Sequence, residues 1–223
     1  MKTNLSKWSL SILGALALAG PAQAADDLLA YGSRQPTKVT IEGTSTIHDW
    51  KVIGNIVIGS FDVEPAFQSD KSLKSAASLQ GKGKCPRVQI SIPVRSLHST
   101  VAIGADTMDA IMQEAMRMTN SPRIIYKLTE MTVNGAVPEA GTPVKFDTKG
   151  ELAVSGVTNK IDMQVTMVRL DNDQLKFTGS KVLKMTDFKI QPPSPKLSGG
   201  MIKTGDEVTV SFEWLVGLKK PEK

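Results

Sequence analysis

Cysteine is almost missing from this chain. Cys85 is the only one, so no disulfide can form within the chain, even in a compartment that would permit one. It stands in a loop-like Gly-Lys-Gly-Lys-Cys-Pro stretch, where Lys82 and Lys84 would favour its thiolate. A thiol nucleophile also needs a base beside it. Cys85 is therefore expected to be an idle loop thiol, dispensable for folding.

Histidine is nearly as scarce, with His48 and His98 the two in the chain. A structural zinc site usually draws on a larger set of Cys and His, and no residues here have metal-ligand spacing. No metal and no cofactor is expected. His48 and Asp49 are neighbours, so on a strand they point to opposite faces and make a poor base–orienter pair. No serine stands in G-x-S-x-G. Gly81-Lys82-Gly83-Lys84 lacks the phosphate-loop spacing, Asp171-Asn172-Asp173 lacks the other calcium ligands, and there is no dinucleotide fingerprint. The groups that could do chemistry are few and scattered, so no catalytic residues are assigned and no enzyme is expected. Strong charge is absent too. A net charge of +5 without a concentrated basic patch gives no reason to expect nucleic acid.

Long hydrophobic runs are confined to the start. Lys2 and Lys7 precede the apolar run Leu10–Ala19, Gly20-Pro21 break it, and Ala22-Gln23-Ala24 is an A-x-A cleavage site. Residues 1–24 read as a secretory signal peptide. The run is too short to remain as a membrane span, so no stable transmembrane anchor is expected. No cysteine lies near the cleavage site, which argues against a lipoprotein. The signal points to the periplasm, with secretion beyond it left open. The remainder suits one domain. Residues 25–36 read as a flexible leader, 37–217 as the domain, and 218–223, with Lys219, Lys220 and Lys223, as a charged tail.

What the chain does have is apolar alternation of period two. Val39–Val63 reads as a bent run with a long strand from His48. In it Trp50, Val52, Ile56 and Ile58 share one phase, and Ile53, Val57 and Phe61 the other. Val88–Val94, Ile161–Met167 and Val208–Val216 alternate strictly. Turns are expected at Asn134-Gly135, Val157–Lys160 and Asp171–Asp173, with a further strand over Val182–Ile190. Long loops are expected over 64–87 and 191–206, with a short surface element at Leu73–Leu79. One helix stands out, Asp106–Met118, with Met108, Ile111, Met112, Ala115 and Met116 in one apolar stripe. Eight or nine strands joined by short turns give an antiparallel all-β fold. Patterning alone leaves a sandwich and a closed barrel both open.

The motifs Gly43–Trp50 (GTSTIHDW), Ile92–Leu97 (IPVRSL), Thr119–Leu128 (TNSPRIIYKL), Gly150–Val165, Phe177–Ile190 and Asp206–Trp214 (DEVTVSFEW) add a resemblance. In this order, over nearly all of 37–217, the chain resembles the YceI-like proteins. The resemblance implies a lipocalin-like antiparallel eight-stranded β-barrel with one substantial helix and long loops, enclosing an apolar tunnel. It implies a non-catalytic periplasmic binding or carrier protein for a long-chain isoprenoid or quinone-like lipid. The alternative is an envelope-stress or protein-interaction module whose barrel core is filled. A homodimer is left open. The candidate lining residues are Trp50, Val52, Ile56, Ile90, Ile92, Met163, Val165, Phe212 and Trp214, with Met112 and Met116 from the helix near a tunnel end. His48 and His98 are candidate contacts for a polar head at a mouth.

Overall fold

Strict alternation in the last strand sets the pattern for the whole barrel. Val208, Trp214 and Val216 are buried, while Glu207 and Glu213 are exposed. A strand with one apolar face must lay that face on a core. In the computed structural model, which describes residues 28–70, 86–135, 142–197 and 200–220, eight such strands close on themselves.

The elements are β1 (Leu29–Ser45), β2 (Trp50–Gly54), β3 (Ile58–Val63), α1 (Ala66–Ser69), β4 (Arg87–Pro93), β5 (Leu97–Ser99) and α2 (Ala105–Ala115). They continue with β6 (Arg123–Val133), β7 (Val144–Val154), β8 (Val157–Leu170), β9 (Gln174–Lys184), β10 (Lys196–Leu197), β11 (Gly200–Met201) and β12 (Thr204–Leu218). The barrel runs β1-β12-β9-β8-β7-β6-β4-β3 and back to β1, antiparallel throughout. β2 and β5 extend it beyond the upper ends of β3 and β4, through β1–β2 and β2–β5 ladders. β10 and β11 form a separate two-stranded ladder.

Within the stretch 25–36, the described residues do not make a loose leader. From Leu29 onward they form the lower half of β1, paired to β3 on one side and β12 on the other. Tyr31 is buried there at 2% exposure. Residues 25–27 lie outside the described residues, as do the signal segment, Cys85 and Leu73–Leu79.

The long strand expected from His48 is also broken, at Asn55–Val57. The cause lies on the neighbouring strand. Pro36 has no N–H to give a ladder, and the β1–β12 register slips between Arg34 and Lys38. The buried Thr37 hydroxyl replaces the lost pairing, donating to the Asn55 carbonyl at 3.0 Å and accepting from the Val57 N–H at 3.2 Å. The break shifts the inward phase by one residue. Ile56 and Ile58 therefore point out, at 44% and 50% exposure, and Val57, Phe61 and Val63 point in.

Two other boundaries differ from expectation. The β7–β8 turn is Ser155-Gly156, both with positive φ, and Val157 already belongs to β8. That is the geometry of a tight hairpin, for which Gly156 is suited. The expected strand over Val182–Ile190 is the end of β9 followed by a 3-10 turn, Met185–Phe188. Asp171–Asp173 turns as expected, with Asn172 and Asp173 at positive φ.

The barrel interior has two halves. The lower half is filled by Tyr31, Phe61, Phe67, Phe146, Met167, Leu175, Phe177, Trp214 and Val216, all under 5% exposed. The α1 turn plugs the bottom with Phe67, over which the Arg169 guanidinium lies at 4.0 Å. The upper half is open, and α2 lies across it.

Candidate functional site

Each strand's inward face runs from filled core into open lumen at about the same depth. On β12 the change falls between Trp214 and Phe212, on β8 between Val165 and Met163, and on β7 above the buried Thr148. Above that level the walls enclose a cavity of about 430 Å³. Its walls are Val39 and Ile41 of β1, Trp50 and Val52 of β2, Ile90 and Ile92 of β4, and Ile124 and Tyr126 of β6. Leu152 and Val154 of β7, Ile161 and Met163 of β8, Leu183 of β9 and Val208, Val210 and Phe212 of β12 complete the circuit.

Small residues keep this lumen open. Phe212 stands opposite Gly179 of β9, where a Cβ would come within 2.7 Å of its ring. The ring can lie against the wall because the glycine leaves room. Trp50 over Gly43 and Tyr126 over Gly150 repeat the arrangement, and the Trp50 Nε1–H donates to the Thr44 carbonyl at 3.0 Å.

The helix covers the lumen with its apolar stripe. Met108, Ile111, Met112, Ala115 and Met116 all face the cavity. Yet no residue of α2 itself is fully buried. A stripe of this kind normally sinks into a core; here Met112, Ala115 and Met116 touch the core while the stripe as a whole also faces the cavity. The helix is tied down at its edge. The Asp109 carboxylate accepts from the Ser99 N–H at 2.6 Å and pairs with His98 Nδ1 at 2.7 Å. At the far end Arg117 donates to the Lys189 carbonyl.

Of the residues expected to line a site, Trp50, Val52, Ile90, Ile92, Met112, Met116, Met163 and Phe212 face this cavity. Ile56 does not, because of the phase shift at Asn55–Val57. Val165 and Trp214 point inward but lie one layer too deep, within the filled half. The Trp214 Nε1–H is spent on Ser33 Oγ at 2.8 Å. His48 stands at the mouth, its Nδ1–H donating to the Asp49 carbonyl at 2.7 Å. His98 stands outside the cavity, held by Asp109. Lining residues missed by the sequence reading include Ile103 and Ile202, which sit where no periodicity marks them, and Val57, Met185, Phe188 and Ile190, which were read as strand but lie at the break and in or beside the 3-10 turn. Among the described residues no group of three or more His, Cys, Asp or Glu could hold a metal ion, and no helix is long and apolar enough to cross a membrane.

The Met185–Phe188 turn carries two lining residues and is tied to β12 by one carboxylate. Asp206 accepts from Thr186 Oγ1 at 2.7 Å and from the Thr186 N–H at 2.9 Å. These hydrogen bonds, the hydroxyl's first, hold the Asp206 carboxyl below the usual carboxylate range. A depressed folded-state value stabilises above the unfolded value and is lost as pH falls through the folded one. Acidification below about pH 4 should therefore release this turn. Asp206→Asn should do so already at pH 7. Hydrogen-exchange protection of the Thr186 and Ile190 amides is the measurement. Equal protection in wild type and variant at pH 7 would show that the carboxylate does not hold the turn.

A family model described as a YceI-like domain matches residues 34–215. The chain belongs to the YceI-like family. Its fold is similar to solved structures at low sequence identity. One is BcnA of Burkholderia cenocepacia, with TM-score 0.57, 14% identity, and 80% of this chain and 95% of that one covered. A second is a polyisoprenoid binding domain from Saccharophagus degradans, with TM-score 0.58, 12% identity, and 86% and 99% covered. A third is a YceI protein of Campylobacter jejuni, with TM-score 0.51, 15% identity, and 76% and 84% covered. At such identities the likeness is one of fold. Among curated proteins none matches the chain.

Proposed function

We propose that this YceI-like protein is a binding or carrier protein that holds one long apolar chain, isoprenoid or quinone-like, in the upper half of its barrel. The observation that carries the reading is the apolar cavity of about 430 Å³ beneath a helix whose apolar stripe faces it and is only partly buried. That volume lies within the range of about 300–1,000 Å³ usual for small-molecule sites. An apolar chain gains roughly 0.8 kcal/mol per buried CH₂ without directed hydrogen bonds, so walls of Val, Ile, Leu and Met suffice. The name of the Saccharophagus protein, a polyisoprenoid binding domain, supports the same class of ligand. The signal-like segment at residues 1–24 supports a periplasmic setting. Binding rather than catalysis fits a cavity whose one lining histidine, His48, is tied to a backbone carbonyl.

Native mass spectrometry of protein purified from its own compartment should show one lipid adduct, lost on organic extraction and restored by added polyprenyl lipid. A protein that emerges empty and stays empty on reconstitution would overturn the reading.

A further inference from the structure

The wall between β8 and β9 is incomplete. Their ladder runs from Leu170/Gln174 up to Val165/Gly179 and ends there, although β8 continues to Val157 and β9 to Lys184. Beyond the ladder, Asn159 Nδ2 donates to the Asp187 carbonyl at 2.7 Å. Between these closures lies a window edged by Ile161–Gln164 and Ser180–Leu183.

One residue on this edge breaks the inward pattern. Lys181 follows Gly179 and precedes Leu183 in the lumen-facing phase, directly opposite Val210. It lines the cavity. Its side chain is one-third exposed, and its Nζ lies 3.5 Å from Asp162 Oδ2 across the window. Asp162 belongs to the outward phase and is 82% exposed. A pair so wet contributes little, so the ammonium is free to take a second anion, with which a charge-assisted hydrogen bond is stronger than a neutral one. Among the described residues, the other charged or titratable ones on the cavity wall are Lys184, His48 and Tyr126, and no carboxylate lines it.

We propose that the window between β8 and β9 is a headgroup site, and that the cargo is an apolar chain ending in an anionic oxygen group, a carboxylate or a phosphate, held by Lys181. The tail lies under α2 against Met108, Ile111 and Met112. The head takes the place of the Asp162 carboxylate at the ammonium and keeps its remaining oxygens in water through the window. A neutral alcohol or quinone head makes no use of the cation. This inference rests on the carrier reading and adds the chemistry of the head to it.

The test uses matched pairs on delipidated protein at low salt: geranylgeranyl phosphate against geranylgeraniol, and oleate against oleyl alcohol. The wild type should favour the anionic member of each pair about tenfold or more, as a charge-assisted hydrogen bond implies. Rising salt should narrow the gap. Lys181→Met should narrow it about tenfold, and Asp162→Asn, which removes the competing carboxylate, should widen it. The ranking of phosphate against carboxylate identifies the head. Equal affinity within both pairs in the wild type would overturn the inference while leaving the carrier reading intact. A preference that survives Lys181→Met, in protein with an unchanged thermal midpoint, would overturn the role of Lys181. Failure to bind any of the four would overturn the carrier reading and this inference with it.

Discussion

Val210→Trp should empty the barrel of lipid and leave its melting temperature within a few degrees of wild type. Val210 sits on the inward face of β12, with Ile41 and Lys181 as its ladder partners. Its side chain faces the open lumen. An indole there grows into a space of about 430 Å³ rather than into neighbouring side chains. Overpacking costs roughly 1–3 kcal/mol only where the volume is already taken. The same substitution one layer deeper, Val165→Trp, meets that condition. Val165 is 8% exposed, opposite Gly179 on one strand and Phe146 on the other. Val165→Trp should therefore lower the thermal midpoint of the lipid-free protein clearly, and Val210→Trp should not. Native mass spectrometry should then show lipid missing from Val210→Trp. If both variants melt alike, the upper half is not an open lumen.

Alternation along each strand is a local property, so it was readable from the residues. Val208, Val210 and Phe212, or Ile161 and Met163, are inward because neighbours two apart share a face. The helix stripe was readable for the same reason, at its own period. Depth is a different quantity. Trp214 and Phe212 have the same phase, and nothing in the strand says that the floor of the cavity passes between them. That boundary is made by rings from β1, β3, β9 and α1 meeting at one level, a tertiary event.

The break at Asn55–Val57 was hidden for a similar reason. It depends on Thr37, a polar residue directly after the stretch that looks like a leader, reaching across to the Asn55 and Val57 backbone. Lys181 was the least legible. In the run Gly179–Lys184 it reads as an ordinary wet lysine. Only the pairing with Val210 and the early end of the β8–β9 ladder place its stem in the lumen.

Phe61→Ala should cost about 3–5 kcal/mol of stability, and it should do so without disturbing the lipid site. Phe61 is 1% exposed and is the hub of the lower core. Its ring lies 6.0 Å from those of Tyr31 and Phe67 and 5.0 Å from that of Phe177. Phe177 passes the contact on to Trp214 at 5.5 Å. Truncation leaves a hole bounded by four strands and the α1 plug, whose backbones are fixed by ladders and cannot close in on it. Domains hold only about 5–15 kcal/mol in all, so the loss is a large share. At about 2–4 °C per kcal/mol for a chain of this size, the midpoint should fall by roughly 6–20 °C. Affinity for an apolar chain, measured well below the new midpoint, should change less than about threefold, a difference near 0.6 kcal/mol. Phe212 and Val57 line the floor of the cavity, and Phe61 lies beneath it without lining it. The two variants should thus move opposite readouts, Phe61→Ala stability and Val210→Trp lipid. If Phe61→Ala loses its lipid while still folded, the filled floor and the open lumen are one cooperative core, and ligand binding draws on the packing of the whole barrel.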